Sequence, residues 1–428
     1  MPGDVFDELK WRGLVHQVTD DAIGEKLAGE RFTVYHGIDM TADSLHVGSL
    51  VGVLVLRRFQ EHGHRPVVLL GAGTTRIGDP SGKRAERPLL APEQIAANAA
   101  GIRAQLERLL KPEPAPVIVD NTDWLGPLSL LDFLRDVGKH FTVNAMLAKE
   151  SVKARFAEAD LGISFTEFSY MLLQAYDYLH LFDTDFPDTG GCRLQIGGSD
   201  QWGNITAGIE LIRKKRSQEA YGLTWPLITK ADGTKFGKSE AGNVWLDAAR
   251  TSPYEFFQFW MNTDDRDVGR YLRTFTSLDE AEITTLEEAM GASAGERTAH
   301  RALARAVTGL IHGEPAAAAA AQAAAALFGG DLRDLDADAL AQAFADAPSS
   351  ELPTDRIDAG VALVDVLAET GLVASKSAAR QAIAQGGVSV NGQRAADVDR
   401  RLGPDDVLGG GFVVLKRGKR SYHVLHVQ

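Results

Sequence analysis

Two short segments, far apart in the chain, carry residue types suited to the phosphates of a nucleotide. His46-Val47-Gly48-Ser49 follows a strand-like run where a helix begins, and Lys235-Phe236-Gly237-Lys238-Ser239 lies in a Gly-rich loop. At a strand-to-helix junction the backbone N–H groups and the positive helix end face an anion, so phosphate can bind there. His46 and Thr41 can donate to phosphate oxygens, and Gly48 lets a flat ring lie against the backbone. Taken alone, this segment reads as an ordinary helix start with Ser44 as N-cap. The second segment places two lysines between hinge glycines. Displacement at phosphorus is catalysed mainly by positioning and charge, so mobile cations closing over leaving phosphates fit it. A solvated basic loop is the bland alternative. As a pair, the segments read as machinery for activating a carboxylate with ATP.

Other residues narrow the chemistry. Tyr170, Gln174 and Asp177 fall at i, i+4 and i+7, on one face of a helix that is otherwise almost wholly apolar. Such a helix is buried, so its polar stripe faces either a core hydrogen-bond network or a ligand cavity. In a cavity, a carboxylate beside a phenol and an amide suits a small zwitterion with a hydroxyl. Gly197-Gly198-Ser199-Asp200-Gln201 sits at a strand-to-helix turn, where ligands of open parallel sheets bind. Asp200 there can accept from ribose hydroxyls or simply cap the helix. Two familiar phosphate motifs fail. Arg76 occupies the last glycine position after Gly71-Ala72-Gly73, and Gly82-Lys83 is followed by Arg84 instead of Ser or Thr. No metal-ligand cluster or nucleophile–base triad is apparent.

The elements that must position these residues follow from periodicity. Strands are predicted at 31–38, 66–71 and 116–120, with helices at 45–62 and 91–110 between them, half of a doubly wound parallel sheet. A mostly helical stretch, 124–182, interrupts it. A strand at 192–196, a helix at 201–215 and a strand at 223–229 form the returning half. Residues 252–328 read as helices, including an alanine-rich run. The predicted organisation is a Rossmann-like α/β domain at 1–229 with an insertion at about 121–190, and the lysine loop with an α-helical domain at 230–330. A polar linker at 331–356, with room for one short helix, and a small α+β unit at 357–428 complete it.

The chain has 428 residues, 44% hydrophobic and 24% charged, which fits a multidomain globular protein. No apolar run approaches the roughly 20 residues that span a bilayer, so no membrane role is expected. A single cysteine, Cys192, excludes internal disulfides and suits a reducing, cytoplasmic setting. The net charge of −13 means that any RNA contact needs a local basic patch.

Several blocks together resemble the bacterial tyrosyl-tRNA synthetases, a class I aminoacyl-tRNA synthetase family, over essentially the whole chain. They are Tyr35-His36-Gly37-Ile38-Asp39, Thr41 through Gly48, Ile77-Gly78-Asp79-Pro80-Ser81-Gly82-Lys83, and residues 162–170, 194–204 and 230–239. The resemblance implies that Tyr35 and Asp177 hold a tyrosine phenol, that Asp79, Tyr170 and Gln174 hold its ammonium group, and that Gln201 holds its carboxylate. It further implies that Gly37, Asp39, Thr41, His46, Gly48, Ser49, Gly198 and Asp200 position ATP. Lys83, Arg87, Lys235 and Lys238 would lie on mobile phosphate loops. Magnesium is implied to arrive with the ATP phosphates and not at a dedicated protein site. L-tyrosine, ATP and tRNA(Tyr) are the implied partners, with a homodimer expected.

Residues 357–428 resemble an S4-type RNA-binding domain. Ser375 through Arg380 opens a helix, 386–392 reads as a strand and tight turn, and Lys416-Arg417-Gly418-Lys419-Arg420 supplies the local positive patch. The chain departs from the commoner family pattern at Ser49, where His or Asn is usual, at His36, where a smaller residue is common, and at Met40, where proline is frequent. The competing readings are the tryptophan-specific relative, which the Tyr35, Asp79 and Asp177 pattern disfavours, and a paralogue that binds RNA without catalysis, which intact His46, Asp200, Lys235 and Lys238 disfavour.

Overall fold

The computed structural model describes residues 3–81, 89–149, 152–153, 162–234, 236–239, 242–327, 332–335, 337, 340–341, 344, 347–418 and 421–428. Lys83, Arg87 and Lys235, and Lys419 and Arg420 of the basic tail, lie outside them. Packing divides the chain into two units: 1–247 with 264–292, and 248–263 with 293–428. The lysine loop, predicted to open the helical domain, therefore groups with the sheet that precedes it.

In the first unit, six strands form one sheet: β1 (Gln17–Val18), β2 (Thr33–Asp39), β3 (Arg65–Gly71), β4 (Val117–Asp120), β5 (Cys192–Gly198) and β6 (Tyr221–Trp225). Their order is β1-β6-β5-β2-β3-β4, parallel throughout except for antiparallel β1. This is the doubly wound arrangement expected, with β2 central. The helices that cross over it are α1 (Val47–Glu61), α2 (Pro92–Leu109) and, after the insertion, α3 (Phe165–Asp183) and α4 (Trp202–Arg216). Strand β3 is buried from Pro66 to Gly71, as a central strand covered on both faces must be. The returning strand is predicted to reach residue 229 but stops at Trp225, because Pro226 has no N–H for the ladder.

Before α3 the insertion includes the short helices Thr122–Leu125, Leu130–Asp136 and Val143–Leu147. Helix α3 is started by a capping box. Glu167 N donates to Ser164 Oγ at 3.2 Å and Ser164 N donates to Glu167 Oε2 at 3.4 Å. The helix packs Met171, Ala175, Tyr178 and Leu179 into a core shared with Tyr35, Val67, Leu69 and Leu211. A two-stranded hairpin, β7 (Lys238–Ser239) with β8 (Gly242–Asn243), carries the lysine loop, and helix α5 (Asp265–Phe275) follows in the same unit.

In the second unit, helices Pro253–Met261, Thr298–His312 and Glu314–Leu327 pack together, with Ala317, Ala320, Ala323 and Ala324 of the alanine run buried. A five-stranded sheet follows, ordered Gln393–Arg394, Val388–Val390, Phe412–Arg417, Ser421–Val427 and Ser349–Leu352. The last of these strands lies inside the predicted linker. Its only strong apolar residue, Leu352, enters the core, and backbone pairing with Ser421–Val427 does the rest. The predicted tight turn is present: Asn391 and Gly392 have φ of 52° and 84°, the pair of positive values that joins two strands without splaying them.

Candidate active site

The two phosphate-suited segments meet. His46, and not Ser44, is the N-cap of α1, because its Nδ1 accepts from Gly48 N at 3.0 Å and Ser49 N at 3.2 Å. That use of Nδ1 leaves the ring proton on Nε2, a donor. Ser44 is buried instead in a side network, where its Oγ donates to the Leu45 carbonyl and accepts from Gln105 Nε2 and Asp247 N. Downstream of the hairpin, Val47 N donates to the Val244 carbonyl at 3.0 Å, and Leu246 N to the Leu45 carbonyl at 2.8 Å. The Trp245 ring meets the His46 ring edge-on at 6.1 Å. Gly237 adopts φ +83°, a conformation that disfavours any side chain, and a methyl group there would lie a tight 3.1 Å from Val47 Cγ2. Backbone pairing thus holds the lysine hairpin against the start of α1.

Beside this junction opens a cleft of about 830 Å³, lined among others by Tyr35, Gly37, Asp39, Thr41, His46, Gly48, Ser49, Asp79, Tyr170, Gln174, Asp177, Gly198, Asp200 and Gln201. Every predicted site residue whose side chain is described therefore reaches one cavity. Its deep end is built from α3, β2 and the end of β4. The Asp177 carboxylate, 2% exposed, accepts from Trp124 Nε1 at 2.7 Å and Asn121 Nδ2 at 3.0 Å. Burial pushes its pKa up to about 7, against the lowering by those two donors. Among the described residues the buried Tyr35 hydroxyl has no hydrogen-bond partner, nor has Gln174 Oε1. Burial, with Asp177 nearby, raises the Tyr35 pKa well above that of a free phenol.

Toward the middle of the cleft, Asp79 accepts from Ser81 N at 2.9 Å and Gln201 Nε2 at 2.8 Å. Tyr170 donates to Asp39, 3.2 Å from either oxygen, and Thr74 Oγ1 donates to the same carboxylate at 3.0 Å. Tyr170, expected at the substrate ammonium group, and Asp39, expected at ATP, are thus directly joined. Asp200 lies in a 3₁₀ turn, Ser199–Gln201, and Gln201, not Asp200, stands at the N-cap position of α4.

His36 also lines the cleft, with its Nδ1 3.4 Å from the Ile196 carbonyl and its ring edge-on to Trp225 at 5.4 Å. Burial lowers its pKa to about 4, so the ring is neutral near pH 7.

Sequence reasoning missed Asn121, Trp124 and Gln195. Gln195 is 2% exposed, lines the cleft, and has no partner for its Oε1 among the described residues. Asn121 directly follows β4, and a polar residue at the carboxyl end of a parallel strand is a recognisable signal. Trp124 has no such signal.

The family described as tRNA synthetases class I (W and Y) matches residues 27–329, and the tyrosine–tRNA ligase SYY-like C-terminal domain matches residues 339–425. The tyrosine–tRNA ligase of Roseiflexus castenholzii is 53% identical over 427 residues, covering 99% of both chains. That of Bacillus caldotenax is 53% identical over 428 residues, again 99% of each. Among solved structures, the C-terminally truncated mitochondrial tyrosyl-tRNA synthetase of Aspergillus nidulans superposes with a TM-score of 0.68 at 32% identity, covering 76% of this chain and 94% of that one. With the family model covering residues 27–329 and relatives 53% identical over nearly the whole of both chains, the chain belongs to the tyrosine–tRNA ligase family of class I aminoacyl-tRNA synthetases.

Proposed function

We infer that this chain activates L-tyrosine with ATP, forming tyrosyl-adenylate and pyrophosphate, and then transfers the tyrosyl group to the 3′-terminal adenosine of tRNA(Tyr). The observation that carries this reading is the deep end of the cleft, where a buried phenol with no partner among the described residues sits near a desolvated carboxylate. In it, the substrate phenol donates to Asp177 and accepts from Tyr35. Its ammonium group is held by Asp79, Tyr170 and Gln174, and its carboxylate by Gln201. Phenylalanine would leave the Tyr35 hydroxyl unpaired and give Asp177 no phenol donor, a discrimination measured for tyrosine-specific synthetases themselves at about 10⁵.

The carboxylate attacks the α-phosphate in line, and the electron pair of the breaking P–O bond leaves with pyrophosphate. The Nε2–H of His46 and the Thr41 hydroxyl donate to phosphate oxygens as charge grows on them. The loops bearing Lys83, Arg87, Lys235 and Lys238 neutralise the leaving group. Gly37, Asp39, Gly48, Ser49, Gly198 and Asp200 receive the nucleoside. Magnesium in this reading is carried on the triphosphate. Among the described residues no group of three His, Cys, Asp or Glu is arranged to hold a metal ion.

Residues 357–428 would bind the tRNA. A second copy would cover the exposed apolar side chains of Leu130, Leu131, Leu134, Val143 and Phe165, and sedimentation giving only monomer at micromolar concentration would refute that homodimer. A cytoplasmic location fits the expected partners, and no helix among the described residues is long and apolar enough to cross a membrane. Pyrophosphate exchange with each amino acid tests the reaction itself. Tyrosine alone should support exchange, and exchange with tryptophan but not tyrosine would refute the assignment.

A further inference from the structure

Helix α5 grips the lysine loop at two places. At the loop's entry the Asp267 carboxylate, 3% exposed, accepts from Ala231 N at 2.7 Å through Oδ2 and from Arg270 Nη2 at 2.7 Å through Oδ1. Arg270 also donates to the Thr229 carbonyl, which accepts from the Tyr271 hydroxyl at 3.3 Å. A closed turn follows, with Gly233 N donating to the Lys230 carbonyl at 2.8 Å and Lys230 N to the Thr234 carbonyl at 2.9 Å. Further along, the buried Phe236 ring lies edge-on to Tyr271 at 4.9 Å and stacks on Phe275 at 5.3 Å.

The helix making these contacts is itself fixed at its far end. Arg12 donates to the Arg273 carbonyl at 2.9 Å, and the buried Arg58 donates to those of Thr274 at 3.2 Å and Thr276 at 3.0 Å. Burying a carboxylate is costly unless both oxygens are engaged. Asp267 is not needed to start α5, because Asp264 is already the N-cap and accepts from Arg266 N. One of its two oxygens is instead directed at the backbone of the loop.

We propose that Asp267 is a positioning residue for the activation step, fixing the base from which the loop carrying Lys235 and Lys238 closes on the leaving pyrophosphate. The proposal rests on the reading that this loop acts in adenylate formation. It predicts a defect confined to that step, because transfer to tRNA begins after pyrophosphate has gone. Stopped-flow measurement of tyrosyl-adenylate formation, paired with single-turnover transfer from preformed enzyme-bound adenylate to tRNA, separates the two.

Asp267→Ala should slow adenylate formation by about 10- to 100-fold, the usual cost of misplacing a catalytic group by about 1 Å. Tyrosine affinity and transfer should stay at parental values. Asp267→Asn, which keeps an acceptor for Ala231 N, should recover most of the rate. Should Asp267→Ala fail to fold, Tyr271→Phe removes one hydroxyl from the same grip and should slow the same step to a lesser degree. Parental adenylate formation in these variants, or equal slowing of both steps, overturns the proposal. Lys238→Ala tells the two failures apart. If it is slow while Asp267→Ala is fast, the proposal alone falls; if it too activates tyrosine at the parental rate, the underlying reading of the loop falls.

Discussion

Asp177 sits in the deep cleft as a carboxylate whose ionised form the fold disfavours, since burial outweighs the Trp124 and Asn121 donors and lifts its pKa to about 7. The folded chain therefore holds a proton there that the unfolded chain has already released above about pH 4. The folded state binds more protons in the window between those values, so this residue's contribution falls as pH rises from about 4 to 7. Asp177→Asn is expected to raise unfolding stability at pH 8 by between about 1 and 4 kcal/mol, with no gain near pH 4. It should also weaken tyrosine binding and erode discrimination against phenylalanine. Thermal unfolding across pH, paired with tyrosine titration, checks both halves, and an unchanged stability at pH 8 would refute the argument. The stripe of Tyr170, Gln174 and Asp177 was legible from spacing alone. Its supporting donors were not, because Trp124 and Asn121 reach Asp177 only through the packing of the insertion beneath α3.

Between elements, the contact of α1 with β2 decides what the cleft wall can carry. His36 on β2 points at α1, and the residue opposite is Gly52, where a methyl group would lie 2.3 Å from His36 Nε2. Trp225 on β6 limits the ring's escape. The histidine and the helix glycine therefore form a matched pair, although a mid-helix glycine by itself costs about 1 kcal/mol relative to alanine. Gly52→Ala should destabilise the first unit by roughly 1–3 kcal/mol through overpacking, while the same change on a His36→Ala background should be neutral or stabilising. A double-mutant cycle of urea unfolding measures the coupling, and additive effects would refute the pairing. Sequence periodicity placed α1 and the strands around it to within about two residues. It put the helix start at residue 45 because Ser44 is a common cap and histidine is not. Only the hydrogen bonds of His46 Nδ1 move that start to Val47.

For the molecule as a whole, the net charge of −13 sets the terms on which it can meet a polyanion. An acidic chain gains RNA affinity only where cations cluster and few are consumed by internal pairs. In the C-terminal unit Lys376 is already paired with Asp365 at 2.9 Å, Arg356 with Glu369 at 3.0 Å and Arg400 with Asp406 at 2.7 Å. Arg380 is exposed on helix Lys376–Ala384 and makes no ion pair with any of the described residues. The unit's α-then-β order and its turn at Asn391-Gly392 could be read from sequence. Its edge strand could not, because Ser349-Ser350-Glu351 carries no apolar alternation and is recruited by backbone pairing. If Arg380 meets one tRNA phosphate, Arg380→Ala should raise the KM for tRNA several-fold at 100 mM salt and reduce the slope of log affinity against log salt by about 1. Pyrophosphate exchange, which needs no tRNA, should be unchanged. A weakened tRNA interaction with an unaltered salt slope would instead mean that Arg380 supports the fold of the unit and does not touch phosphate.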